Sequence, residues 1–276
     1  MLNDRPPWLI ARNVGRPVNY VALARMFRVC EDPVAAASRY FLGRGDFPCT
    51  VRVRTPSGSQ EMTLFHRHDA ITMHEIFCRE DYKSTPPPKV VVDIGSNIGI
   101  SALYFLTRSP ETFCELYEPD PLNVQKLEVN LRGFGGRFSL HETAVADRAG
   151  TLLFTREPTG RYGRLEPAST GQSGVSTNEP DSGDSAISTA IEVRVEHVNT
   201  VLEDAIARHG EIDLLKIDTE GSELATVHSI DPALLARVRR IVIEWFDRHV
   251  DLEGFGASSS GDTVTFVNRH WSSGPR

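Results

Sequence analysis

Cysteine, clustered basic residues and long apolar runs are what this sequence has least of. Its four cysteines, Cys30, Cys49, Cys78 and Cys114, lie far apart and form no C-x-x-C pair, so neither a zinc knuckle nor a disulfide framework is indicated and a reducing cytoplasm is expected. The 30 Lys and Arg are not gathered into a polybasic stretch, and 37 Asp and Glu leave a formal charge of -7. A broad nucleic-acid footprint needs clustered cations and is therefore not expected. No apolar run approaches the length of a membrane span, and the start, Met1-Leu2-Asn3-Asp4-Arg5-Pro6-Pro7, lacks the charged-then-apolar pattern of a signal peptide. At 276 residues the expected protein is soluble, with one large α/β core and an N-terminal elaboration.

What is present concentrates in Val90-Val91-Val92-Asp93-Ile94-Gly95-Ser96-Asn97-Ile98-Gly99-Ile100-Ser101. The β-branched run fits a strand covered on both faces, and it enters a glycine turn that opens a helix. Nucleotide-like cofactors sit at such junctions in open α/β sheets. Gly95 and Gly99 let the backbone approach a ligand, while Asn97 and Ser101 offer polar side chains at the helix mouth. A dinucleotide fingerprint would carry a third glycine, but the pattern here is D-x-G-x-N-x-G. Asp93 beside the glycines would repel a diphosphate and welcome an ammonium or sulfonium, which favours S-adenosylmethionine over NAD. A second anchor follows about 25 residues on, where Phe113–Asp120 ends a short strand in Glu118, a position suited to ribose hydroxyls.

Residues 18–42 carry apolar side chains at helical spacing (Val21, Leu23, Ala24, Phe27, Val29) and then a second short helix at 34–42, both read as packing or oligomer-contact helices. Segments 47–53 and 61–65 alternate around Pro56-Ser57-Gly58-Ser59, a hairpin signal, and such a hairpin would cover the cofactor cleft. A capped helix follows from Asp69 to near Tyr82, then the stiff spacer Pro86-Pro87-Pro88. Strands at 90–94, 113–118 and 137–142 alternate with helices at 97–108 and 121–132 in the rhythm of a parallel sheet. After a strand at 152–155, residues 161–188 are rich in Gly, Ser, Thr, Pro and Asp and read as a long loop, either a plain insertion or an acceptor lid. Regular structure resumes with a strand at 191–195, a helix at 198–209, a strand at 212–218, a helix after Glu223, a strand at 240–245 and a last antiparallel strand near 262–267. The chain thus divides into 1–88 and 89–276.

Asp93-Ile94-Gly95-Ser96-Asn97-Ile98-Gly99, Tyr117-Glu118-Pro119-Asp120, Ala144-Val145-Ala146-Asp147 and, most specific, Lys216-Ile217-Asp218-Thr219-Glu220-Gly221-Ser222-Glu223 together resemble the FkbM family of S-adenosylmethionine-dependent methyltransferases. The resemblance covers roughly residues 65–246, since the helix carrying Asp69, Thr72, Glu75, Ile76 and Phe77 also resembles the family's lead-in. It implies an α/β, Rossmann-like class I methyltransferase fold, with a mostly parallel central sheet flanked by helices and an N-terminal helical and hairpin extension. It also implies that Asp93, Gly95, Asn97 and Gly99, with Ser96 and Ser101 beside them, cradle the methionine end of the cofactor. Glu118, followed by Pro119, would hold the ribose hydroxyls, and Glu142, Thr143 and Ala144 would line the adenine. Tyr82, at the end of the lead-in helix, is placed among the cofactor-facing residues, and Asp218 would face the transferring methyl. Members mostly methylate hydroxyl groups of sugars and secondary metabolites, so a small-molecule acceptor is implied.

Methyl transfer is an in-line displacement, and an alcohol acceptor must also lose its proton. Strand alternation puts Leu214, Lys216 and Asp218 on one face, and Glu220 and Glu244 emerge nearby. One of these carboxylates would serve as base, or Asp218, Glu220 and Glu244 together would hold a divalent cation, a less favoured reading. His249, past the same strand as Glu244, is another candidate base. Structural readings stand beside these: Asp218 orienting the cofactor's amino group, and Glu220 and Glu223 capping the next helix. His66 and His68, at alternate strand positions, share a face, but no third metal ligand follows at suitable spacing. Lys216 on an apolar strand calls for a carboxylate partner.

Two rival functions remain. N-methylation of an amino sugar is compatible, whereas methylation of a nucleobase is disfavoured because Asp218-Thr219-Glu220-Gly221 stands where an N-P-P-Y or D-P-P-Y segment would grip a planar nitrogen. A non-catalytic module that retains the cofactor is the other.

Overall fold

The β-branched run at Val90–Ile94 becomes the strand about which the rest is wound. A computed structural model describes residues 17–156, 163–165, 189–219, 221–244, 251–260 and 263–271. Two helices, α1 (Pro17–Val29) and α2 (Pro33–Leu42), precede a hairpin of β1 (Cys49–Thr55) and β2 (Gly58–Leu64). Helix α3 (Arg67–Met73) continues into a π-helical turn, His74–Arg79. There follow β3 (Val90–Ile94), α4 (Ile100–Arg108), β4 (Phe113–Tyr117), α5 (Pro121–Asn130), β5 (Phe138–His141), β6 (Ala144–Ala146), β7 (Gly150–Arg156) and β8 (Gly163–Leu165). The remainder comprises β9 (Thr189–His197), α6 (Val198–His209), β10 (Leu214–Ile217), α7 (Glu223–His228), α8 (Pro232–Leu235), β11 (Arg240–Glu244), β12 (Phe255–Ser260) and β13 (Thr263–Asn268).

The central sheet has seven strands in the order β12-β13-β11-β10-β3-β4-β5. The five from β11 to β5 run parallel, and β13 is antiparallel to both β11 and β12. The chain winds outward from β3 through β4 to β5, then returns to lay β10 on the other side of β3. Between β3 and β10 the winding therefore reverses, and a crevice opens at their carboxyl ends.

Alternation along these strands fills two cores, as expected for a sheet covered on both faces. Val91, Cys114, Leu116 and Leu214 pack with Leu103 and Phe105 of α4, with Met26 of α1, Met62 of the hairpin and Phe77 of the π-turn. Val92, Ile94, Leu215 and Ile217 pack on the opposite face with Val201 and Leu202 of α6 and Phe266 of β13. Each such side chain, fully buried, contributes about 1.5–3 kcal/mol. The N-terminal elements thus share a core with α4. No helix among the described residues is long and apolar enough to cross a membrane.

Several expectations are corrected. His66 and His68 are not on a strand: the Asp69 carboxylate accepts the backbone N–H groups of Phe65 (2.7 Å) and His66 (2.8 Å), which starts a helix at Arg67 with His66 as its N-cap. The helix expected to run to Tyr82 is α-helical only to Met73, and the wider π-turn after it ends at Glu80, whose φ is +62°. Helix α4 starts at Ile100 rather than at residue 97, because Asn97 (φ +48°) and Gly99 (φ +83°) adopt left-handed conformations that no right-handed helix contains. The hairpin does not cover the crevice; β2 is held to α5 by Asn130, which accepts from the Thr63 N–H at 2.7 Å and donates to the Thr63 carbonyl.

The sequence also hides a second sheet. Strands β7 and β9 pair with each other, Gly150 against Val195 through Arg156 against Thr189, and with β6 and β8 form a four-stranded sheet in the order β6-β9-β7-β8. Ala144, Ala146, Phe154, Val193 and Val195 form its small core. The β8 strand falls within the stretch read as a loop, most of which lies outside the described residues.

Candidate active site

Gly95 is the pivot of the turn after β3. Its φ is +79°, and a Cβ placed on it would lie 1.8 Å from the carbonyl oxygen of Asp218. The backbone N–H of Asp218 donates to the Ile94 carbonyl at 3.1 Å, while the N–H groups of Gly95 and Ser96 both donate to the Tyr117 carbonyl at 3.0 Å. The Ser96 hydroxyl closes the turn on the Asp93 carbonyl at 2.8 Å. Main-chain hydrogen bonds thus clamp the turn to β4 and to the end of β10.

Beneath the turn lies a buried ion pair. Parallel register sets Lys216 beside Asp93, and their side chains meet at 3.0 Å, with the Lys216 residue 2% exposed and Asp93 fully buried. The ammonium also donates to the Gly95 carbonyl at 2.9 Å and lies 3.4 Å from Asp218. Burial disfavours its charge, but Asp93, Asp218 and Glu244 together hold it above the ordinary lysine range. Asp93's other oxygen accepts the Ser101 hydroxyl at 2.6 Å. The lysine thus has the carboxylate partner its strand demands, and Asp93 lies under the crevice, not among the residues that line it.

Glu118, just past β4, is buried and accepts from the backbone N–H of Asn97 (2.8 Å) and of Asp120 (3.0 Å), and from the Asn123 amide (3.4 Å). Burial outweighs these bonds and pushes its carboxyl up to about 7. Pro119 leads into α5, which Asp120 caps through the Leu122 N–H. Glu142 is exposed after β5, while Thr143 is buried and donates to the Arg194 carbonyl at 2.9 Å; Ala144 begins β6. These three lie beyond the crevice, past the strand that follows Glu118.

The crevice encloses about 580 Å³ including its open mouth. Of the expected site residues, Gly95, Ser96, Asn97, Ser101, Asp218, Tyr82 and Glu244 line it together with Lys216, whereas Asp93, Gly99, Glu118, Pro119, Glu142, Thr143 and Ala144 do not. Glu244, at the end of β11, accepts the Tyr82 hydroxyl at 2.8 Å. The Asp218 carboxylate first, then desolvation and Glu75, raise Glu244 to about 8. Its side chain still reaches solvent, which screens part of that repulsion. Asp218 itself follows β10, and Glu223 shapes the loop beyond by accepting the N–H groups of Thr219 (2.9 Å) and Gly221 (2.9 Å).

One wall was legible in the sequence only as a lead-in helix and not as part of the site. Asp69, Thr72, Glu75 and Ile76 line the crevice from α3 and the π-turn, at spacings of three and four that put them on one helical face. That periodicity was the available signal. Glu220 and His249 lie outside the described residues, and among the described residues no three metal-binding side chains gather into a site.

Residues 93–270 match the family described as the methyltransferase FkbM domain. The chain belongs to the FkbM methyltransferase family. Among FkbM-type relatives, the 31-O-demethyl-FK506 methyltransferase FkbM of Streptomyces tacrolimicus is 31% identical over 182 residues, 58% of this chain and 66% of that one. Methyltransferase sdnD of Sordaria araneosa is 29% identical over 182 residues, 60% of this chain and 70% of that one. The AMB antimetabolite synthetase AmbE of Pseudomonas aeruginosa is 26% identical over 249 residues, 80% of this chain but 11% of the synthetase. The FkbM match begins at Asp93 and takes in Lys216, Asp218 and Glu244. The wall carrying Asp69, Glu75 and Tyr82 precedes it.

Proposed function

We propose that this FkbM-family chain transfers a methyl group from S-adenosylmethionine to a hydroxyl of a sugar or secondary metabolite. The observation that carries the reading is a crevice at the reversal of winding, walled by carboxylates. Among the described residues that line it the one cation, Lys216, is already neutralised. Such a donor set suits a sulfonium and opposes a diphosphate. Gly95, Ser96, Asn97, Gly99 and Ser101 would cradle the methionine end, Glu118 the ribose hydroxyls, and Glu142 to Ala144 the adenine. Bound there, S-adenosylmethionine supplies an electrophilic methyl.

Asp218 faces that end of the crevice and orients charged groups within it. Glu244 is the described carboxylate best suited to take the acceptor's proton: it has no cationic partner as close as the one beside Asp218, and its raised affinity for protons is what a base for an alcohol requires. The same carboxylates would accommodate an amine, which makes amino-sugar N-methylation the second reading.

Calorimetry with S-adenosylmethionine tests the donor. Glu118→Gln should weaken binding about 10- to 100-fold, the worth of charged hydrogen bonds to two hydroxyls, with a melting transition retained. Unchanged affinity would sink the site. Glu244→Gln should lower turnover about 100-fold on any glycoside that the native chain methylates, while S-adenosylmethionine binds as before. A mass-spectrometric product with the methyl on nitrogen would select the second reading.

A further inference from the structure

Tyr82 stands among the cofactor-facing residues by its place in the sequence, yet its hydroxyl is already engaged by Glu244. The tyrosine is 2% exposed, its ring stacks on the fully buried Phe105 at 5.8 Å and 24°, and the Lys216 ammonium lies 5.9 Å from its ring centre. A phenol held on these sides cannot swing to follow a ligand. Glu244, by contrast, sits at the open end of β11, where the charges facing it are Asp218 after β10, Glu75 on the π-turn, and Lys216 on β10. Left alone, a carboxylate with two acidic neighbours would turn out toward water. The hydrogen bond from a rigid phenol fixes one oxygen, Oε1, and leaves Oε2 to receive a proton.

We propose that Tyr82 is a positioning residue: it aims the Glu244 carboxylate into the crevice and does not bind the cofactor. The inference rests on the reading of Glu244 as the base. It also assigns a role in the chemistry to a segment that precedes the matched family region, since the π-turn and Tyr82 come before Asp93.

The full-length chain labelled with carboxyl-¹³C glutamate provides the test, and it needs no acceptor. The Glu244 resonance is the one lost in Glu244→Gln. Because the Tyr82 hydroxyl stabilises the charged form of Glu244, its removal in Tyr82→Phe should move the titration midpoint of that resonance upward by about half a pH unit or more. S-adenosylmethionine affinity by calorimetry should stay within about twofold. An unmoved midpoint overturns the proposal, and so does a tenfold loss of S-adenosylmethionine affinity, which would make Tyr82 a cofactor ligand. Full methyl transfer by Glu244→Gln would instead overturn the base assignment and leave the measured coupling of Tyr82 to Glu244 standing. The substitution removes one oxygen from a ring whose stacking on Phe105 is kept, so the fold is preserved.

Discussion

Gly95→Ala is expected to leave no measurable S-adenosylmethionine binding and a less stable fold. A methyl group at this position would lie 1.8 Å from the Asp218 carbonyl oxygen, and both the obstacle and its neighbours are main chain, which has no rotamer to retreat into. The residue's φ of +79° adds about 1–2 kcal/mol for any side chain, and overpacking of a filled site costs about 1–3 kcal/mol more. Relief requires the turn to part from β10. That separation strains the Asp218 N–H bond to Ile94, the paired bonds to Tyr117 and the Lys216 bond to the Gly95 carbonyl. Because the turn is the proposed cradle, a cofactor affinity within tenfold of the native value, measured by calorimetry on folded protein, would show that the cradle lies elsewhere.

Lys216→Met should cost about 3–5 kcal/mol of stability, the penalty for stranding a buried charge, even though methionine keeps the apolar stem. Asp93 would keep the Ser101 hydroxyl but lose its counter-ion, and Asp218 and Glu244 would lose the cation that offsets their mutual repulsion. Chemical denaturation of the variant measures the loss. Adding Asp93→Asn should recover most of it, since removing both members of a buried pair is far milder than removing one. A Lys216→Met chain as stable as the native one would mean that the ion pair contributes nothing to holding β3 against β10.

The winding of the sheet was legible because its strands are short β-branched runs and its turns are marked by glycine. The helix at 198–209 and the strand at 90–94 have the bounds their periodicity predicts. Pairing was less legible. Leu152 to Thr155 and Ile191 to Val195 read as strands, but nothing local says that they pair with each other, away from the central sheet. Lys216 demanded a carboxylate, and only the register of β10 on β3 reveals that Asp93 answers it from beneath the turn. The capping carboxylate of Asp69 and the left-handed residue Asn97 each moved an element boundary by a few residues. The α3 wall was not placed at the site for a different reason: a helical face names the residues that share it, while what that face looks onto depends on how α3 and the π-turn pack against α1, α2 and α4.

That wall is continuous in sequence and ends before the spacer Pro86-Pro87-Pro88, whereas the turn, the ion pair and Glu118 all come after it. A single crossover in the spacer would therefore exchange one side of the crevice as a unit, leaving the turn and the Lys216–Asp93 pair in place while replacing Glu75, one of the charges that act on Glu244. The α3 wall and the proposed cofactor cradle are carried on separable lengths of chain, with the Tyr82 hydroxyl on Glu244 as the joint that a transplanted segment must rebuild.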